Sequence, residues 1–116
     1  MNSSLRVFII LVLFLPFQPT KAQKVFFKEL SVSIESSFRG ISVVDDSVAW
    51  VCGSNGIIGR TRNAGATWEF MKIEGAMDSD FRSIHAFSSR EAVVANAGSP
   101  ASIYKTLDGG DKWQLV

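Results

Sequence analysis

Ser37 to Trp68 reads SFRGISVVDDSVAWVCGSNGIIGRTRNAGATW, and Asp80 to Trp113 reads DFRSIHAFSSREAVVANAGSPASIYKTLDGGDKW. Laid on one another, the two stretches are one repeat written twice. Phe38 and Phe81, Arg39 and Arg82, Ile41 and Ile84, Ala49 and Ala92, and Val51 and Val94 pair at an offset of 43. Gly53 and Gly98, Arg60 and Lys105, Thr61 and Thr106, Gly65 and Gly110, and Trp68 and Trp113 pair at 45, which places a two-residue insertion between Val94 and Gly98. A repeat near 45 residues is the period of a supersecondary unit that covers its apolar faces by stacking on its neighbours.

Within the first copy the pattern is of short strands and turns, with no sustained helical periodicity. Phe38 to Val44 reads as a strand, Asp45 to Ser47 as a turn, and Val48 to Cys52 as a second strand. Asn55-Gly56 supplies two residues that tolerate positive φ in a tight hairpin. Ile57 to Thr61 and Thr67 to Ile73 complete a four-stranded antiparallel meander, with Arg62 to Ala66 turning between them. Val48-Ala49-Trp50-Val51-Cys52 and Ala92-Val93-Val94-Ala95 do not alternate apolar with polar, so both faces of each sheet are expected to be covered. The expected fold class is therefore all-β, built of four-stranded antiparallel blades of a β-propeller, with about two blades present. Strand-built solenoids remain open but usually repeat at shorter intervals.

The third turn carries the most specific spacing. Thr61-Arg62-Asn63-Ala64-Gly65-Ala66-Thr67-Trp68 and Thr106-Leu107-Asp108-Gly109-Gly110-Asp111-Lys112-Trp113 share Thr, Asn or Asp, Gly and Trp in register. Asn63 and Asp108 are expected to cap backbone N–H groups of their own turns, Gly65 and Gly110 to adopt left-handed conformations, and Trp68 and Trp113 to pack under the loops. Asp108 and Asp111 lack the further oxygen ligands of a calcium loop, so no metal is assigned there.

These two octapeptides resemble Asp-box repeats, the Ser/Thr-x-Asp-x-Gly-x-Thr-Trp/Phe turn of sialidases, sortilin-type receptors and the photosystem II stability and assembly factor. With the aromatic-Arg start, the Gly-x-x-Gly turn and the Arg-Thr that follows, the stretch from Ser31 to Val116 is most similar to the assembly-factor-like propellers. Asn63 stands where the motif has Asp and Lys112 where it has Thr; both substitutions keep the turn. The resemblance implies a ring of about seven blades, of which this chain would be an N-terminal portion with its second blade cut short in the fourth strand.

Upstream of the repeat, Arg6 precedes the 11-residue apolar run VFIILVLFLPF (Val7 to Phe17), and Thr20-Lys21-Ala22 places small residues before a cut ahead of Gln23. That is the layout of a secretory signal peptide. A membrane anchor is the competing reading, but 11 apolar residues rise only about 16 Å as a helix against a hydrocarbon core of roughly 30 Å. The chain thus divides into a signal at 1–22, an N-terminal strand at 23–36 (KVFFKELSVSIE from Lys24 to Glu35) expected to close the ring, a blade at 37–79 and a second at 80–116. A secreted or periplasmic location is expected.

Composition narrows the function. The 116 residues are 47% hydrophobic and 20% charged with a formal net charge of +1. Removing 1–22 takes away Arg6 and Lys21 and leaves a net charge of −1, so nothing marks nucleic acid as a partner. Cys52 is the only cysteine and His85 the only histidine, which excludes an internal disulfide and a zinc cluster. No phosphate-cradling glycine loop or nucleotide fingerprint occurs, and neither His85 nor the single Tyr104 has the surroundings of a catalyst. No catalytic, cofactor-binding or metal-binding residue is assigned, and no cofactor is expected.

The expected function is that of an exported, non-catalytic propeller segment that binds another protein or its own remaining blades. The alternatives are the first blades of a sialidase-type glycoside hydrolase, whose tyrosine, acids and arginines would lie elsewhere, and a protein carrying an oxidoreductase label without a visible cofactor motif. Arg39 and Arg82 are the candidate partner-binding residues, since repeated guanidiniums can receive a carboxylate through forked hydrogen bonds. Equally, each can pair with a carboxylate at the blade edge, the reading the repeat itself favours.

Overall fold

A computed structural model describes residues 34–116. The signal peptide at 1–22 with its cut after Ala22, and all but the last residues of the strand expected at 23–36, lie outside the described residues. Eight strands follow one another: β1 (Phe38–Val43), β2 (Ala49–Gly53), β3 (Ile58–Thr61), β4 (Glu69–Met71), β5 (Phe81–Ala86), β6 (Ala92–Asn96), β7 (Ile103–Thr106) and β8 (Gln114–Leu115). They form two four-stranded sheets in the order β1-β2-β3-β4 and β5-β6-β7-β8, every neighbouring pair antiparallel. Two meanders of equal topology are what the repeat requires. The fourth strands are shorter than their sequence suggested, because the Asp-box turn holds Thr67 and Trp68 in loop conformation before pairing begins at Glu69.

Register aligns the two copies closely. Both first strands carry an irregularity at the same step, between Phe38 and Gly40 in one and between Phe81 and Ser83 in the other. Phe38 faces Gly53 and Phe81 faces Asn96, so Asn96 is the structural counterpart of Gly53. The Gly53 and Gly98 pairing read from the sequence is corrected accordingly: the two extra residues sit in the β6–β7 loop. There Asn96 closes the longer turn, accepting from the Ser102 N–H at 2.7 Å through its side chain. The Asn55-Gly56 hairpin adopts the left-handed pair expected of it, with φ of 58° and 67°.

The core lies between the sheets. Because side chains alternate along a strand, β2 points Trp50 and Cys52 to one side, and both are fully buried against the second sheet. That sheet answers with Phe81, Ile84, Ala86, Ala92 and Val94, all buried, while Ile73 and Ala76 of the connecting segment close the cluster. The opposite side chains, Ala49 and Val51 on β2 and Val93 and Ala95 on β6, are only half-buried. The apolar run of the central strands thus reflects two faces built for covering, of which one face of each sheet is covered among the described residues.

Candidate protein-binding site and the turns that frame it

The two Asp boxes sit at one end of the blades, beside the β1–β2 and β5–β6 loops. Ala64 N–H donates to the Ser47 carbonyl at 2.9 Å, and Gly109 N–H donates to the Arg90 carbonyl at 2.8 Å, the same bond in each copy. Inside the first box, Asn63 Oδ1 accepts from Thr67 N–H at 2.9 Å and from the Thr61 hydroxyl at 3.0 Å. Inside the second, Asp108 Oδ1 accepts from Lys112 N–H at 2.9 Å and from the Thr106 hydroxyl at 3.0 Å.

Thr61 and Thr106 are buried, and their hydroxyls also accept from Gly65 N–H at 2.8 Å and Gly110 N–H at 2.9 Å. Each threonine is therefore the hub of its turn, a role the sequence marked only by its recurrence. Gly65 and Gly110 have φ of 85° and 95°, and the residues before them, Ala64 and Gly109, are also left-handed at 57° and 75°.

The bond from Lys112 N–H, then the bond from Thr106, hold the Asp108 carboxyl below its ordinary range. Asn63 makes the same bonds without a charge. The indoles diverge. Trp113 N–H donates to the Gly110 carbonyl at 3.1 Å, so the ring lies against its own turn, and it meets Trp50 edge-on at 6.3 Å. Trp68 instead stacks on Phe70 at 6.4 Å, and its buried N–H has no partner.

At the opposite end of the blades, where β1 and β5 begin, the structure brings Arg39 and Arg82 to one carboxylate. Arg82 donates from Nε at 3.0 Å and from Nη2 at 2.9 Å to Asp80 Oδ2. Arg39 Nε lies 2.9 Å from Asp80 Oδ1, near enough to pair charges but out of line for a hydrogen bond. The Arg82 bond, with Arg39 adding its charge, holds the Asp80 carboxyl below its ordinary value. Both arginines keep exposed side chains, 41% for Arg39 and 56% for Arg82, so two cations share one anion at the surface. Asp80, the residue that joins them, stands where the first copy has Ser37; a carboxylate one residue before the Phe-Arg start was the available signal.

A second feature is the outer face of the first sheet. Phe38, Ile41, Val51, Trp68 and Phe70 line an open apolar groove of about 360 Å³ with Arg39 at its rim. Gly59 explains its floor: a Cβ there would lie 2.8 Å from the Phe70 ring and 2.9 Å from Val51 Cγ2. In the second sheet that position is Tyr104, which meets Phe81 edge-on at 6.2 Å. Phe70 fills in the first blade the space that Tyr104 fills in the second.

Cys52, fully buried, has its thiol pushed up to about 11, chiefly by burial, which makes it a packing residue at neutral pH. Among the described residues no three of His, Cys, Asp and Glu converge as metal ligands would. Asp108 Oδ1, the oxygen a cation would seek, already holds the turn together.

Two meanders joined face to face, each fastened by an Asp-box turn, define the chain as a β-propeller of the Asp-box class. The family model described as photosynthesis system II assembly factor YCF48 matches residues 19–116, and the chain belongs to that family. Among solved structures it is similar to YCF48 from Cyanidioschyzon merolae, with 28% identity over 77% of this chain and a TM-score of 0.61. It is also similar to a structure described as YCF48 bound to D1 peptide, with 27% identity over 70% of this chain and a TM-score of 0.57. The chain spans only 29% and 26% of the lengths of those two relatives. No curated protein matches it.

Proposed function

We propose that the chain is an exported, non-catalytic protein-interaction module of the assembly-factor kind, and that it receives a peptide carboxylate at Arg39 and Arg82. The observation that carries this is the shared Asp80: two exposed guanidiniums on adjacent blades hold one carboxylate between them, leaving an excess positive charge and free N–H donors facing solvent. An incoming carboxylate gains forked hydrogen bonds from a planar donor set already oriented by Asp80. The solved relative described as holding a D1 peptide supports a peptide as the kind of partner. Export rests on Arg6, the apolar run Val7 to Phe17 and the small residues before Gln23.

Synthetic peptides ending in a free carboxylate, each beside its amidated twin, test the site by fluorescence anisotropy. A preference of about tenfold for the free acid, lost in Arg39→Ala and Arg82→Ala, is the expected result. Equal binding of acid and amide, or full binding by the double variant, overturns it. Export is checked separately by the mass of the protein recovered from its host, which should begin at Gln23.

A further inference from the structure

The segment that joins the two sheets, residues 75–80, is packed on one side and open on the other. On the packed side the β2–β3 hairpin lies against it: Gly56 N–H donates to the Ser79 carbonyl at 2.7 Å, and a Cβ at Gly56 would run into the Met77 carbonyl oxygen. On the open side it faces residues 96–100 of the β6–β7 loop across a cleft of about 590 Å³. That loop is the one lengthened by two residues. It is held at its base, where the Asn96 side chain accepts from Ser102 N–H at 2.7 Å and Ala97 N–H donates to the Asp80 carbonyl at 2.9 Å. The walls of the cleft are loops at the ends of the blades, so its shape does not depend on what covers the sheet faces.

Asp80 ties this cleft to the arginines, because the carboxylate that Arg39 and Arg82 share belongs to a residue of the cleft wall. Resting on the reading of Arg39 and Arg82 as a carboxylate site, we propose that the cleft is the subsite for the peptide residues just upstream of that carboxylate, and that it selects a basic side chain there, held at Asp78.

Three features of the cleft carry this. Its charge is divided: two guanidiniums meet one carboxylate at Asp80, whereas Asp78, exposed on the same wall, has no hydrogen-bond or ion-pair partner among the described residues. A peptide with its terminal carboxylate on the arginines and a cation behind it matches both signs, and the reversed direction matches neither. Met77, 51% exposed beside Asp78, offers an apolar surface to the methylene stem of a lysine or arginine whose head reaches the carboxylate. Length then fixes the position. Asp78 lies two residues from Asp80, at most about 7 Å along the chain, and an extended peptide rises about 3.3 Å per residue. The selected side chain therefore belongs to one of the three residues that precede the terminal one.

The test uses the full gene product and short synthetic peptides carrying Lys, Ala or Glu at each of those three positions, every peptide made as free acid and as amide, with binding read by fluorescence anisotropy. At one position Lys should bind about threefold to tenfold more tightly than Glu, the size expected of one exposed ion pair exchanged for a repulsion. Asp78→Ala should abolish that preference, Asp78→Glu should keep it and Asp78→Lys should invert it, while all three variants retain the preference for free acid over amide. Asp78 is exposed, and unchanged circular dichroism of the variants checks that the fold is kept. Preference for the free acid with no discrimination between Lys and Glu at any position, or a Lys preference indifferent to Asp78, overturns the cleft and leaves the arginine site standing. Equal binding of acid and amide overturns the arginine site and this proposal with it.

Discussion

Trp50 on β2 donates its indole N–H to the Ser88 carbonyl of the β5–β6 loop at 3.0 Å, a bond that crosses from one sheet to the other. The ring is fully buried, meets Trp113 edge-on and carries the Arg60 guanidinium at 5.4 Å from its centroid. One side chain therefore joins apolar burial, an aromatic contact, a cation on its face and a polar bond at the seam. Trp50→Ala is expected to destabilise the chain by about 3 to 5 kcal/mol, and Trp50→Phe by less but still measurably, since it keeps most of the area and orphans the Ser88 carbonyl. Urea unfolding followed by far-ultraviolet circular dichroism reads both. Equal stability of wild type and Trp50→Ala would remove this residue from the seam.

The capping side chain of the Asp box is titratable in the second copy, Asp108, and an amide in the first, Asn63, which makes acid a selective probe. Asp108 is held below its ordinary value of 3.8 by the Lys112 N–H first, so the folded state binds its proton less readily than the unfolded state. Its contribution to stability is fully present above that ordinary value and is lost as pH falls through the lower folded value. Glu69, lowered mainly by Arg60 and also by Arg62, and Asp80, lowered mainly by Arg82, act in the same direction. Asp108→Asn should flatten part of the acid limb of the stability curve and leave its neutral plateau nearly unchanged, because Asn63 shows that the amide supports the same turn. Asn63→Asp should steepen it. Denaturation midpoints measured from neutral to acid pH decide; identical acid limbs for all three proteins would contradict the assignment.

How much of this was readable from the chain depends on whether the repeat expressed it. Strand order, the Asn55-Gly56 hairpin and the two box turns were visible because each rests on local chemistry written twice or on residues with special φ. The hub role of Thr61 and Thr106 was marked by recurrence but not by mechanism, since a hydroxyl that accepts from a backbone N–H four residues on looks like any strand-end threonine. The exchange between Gly59 with Phe70 and Tyr104 was hidden, because the compensating aromatic sits on a different strand and nothing local links the two. Asp80 was legible by half: a carboxylate two residues before Arg82 shows in the chain, but Arg39 comes from the other sheet, and only folding brings it to the same carboxylate.

Left-handed positions in the boxes yield a pair of opposite effects. Ala64 holds φ of 57° where the second box has Gly109, while Gly110 holds 95° and has no room for a side chain, since a Cβ would run into Met71 Sδ. A methyl group at positive φ is strained, and relieving it outweighs the entropy an added glycine returns to the unfolded chain. Ala64→Gly should raise stability by about 0.5 to 1 kcal/mol, and Gly110→Ala should lower it by about 1 to 3 kcal/mol. Thermal melts of the two variants beside wild type should shift in opposite directions.

Cys52 reports whether the two sheets separate before the chain unfolds. Its thiol is fully buried between the sheets and pushed up to about 11 chiefly by burial, so near neutral pH it is protonated and shielded from reagents. A water-soluble alkylating agent should modify it only through opening of the interface. If the seam opens as part of global unfolding, the alkylation rate should follow the unfolding equilibrium as denaturant rises, and Trp50→Ala should accelerate it in proportion to the stability it removes. If the sheets part locally, alkylation should proceed in the absence of denaturant faster than global stability allows, while circular dichroism stays native. Mass spectrometry of time points at several denaturant concentrations separates the two, and rapid labelling of native protein at neutral pH would show that the thiol is not enclosed as the structure describes.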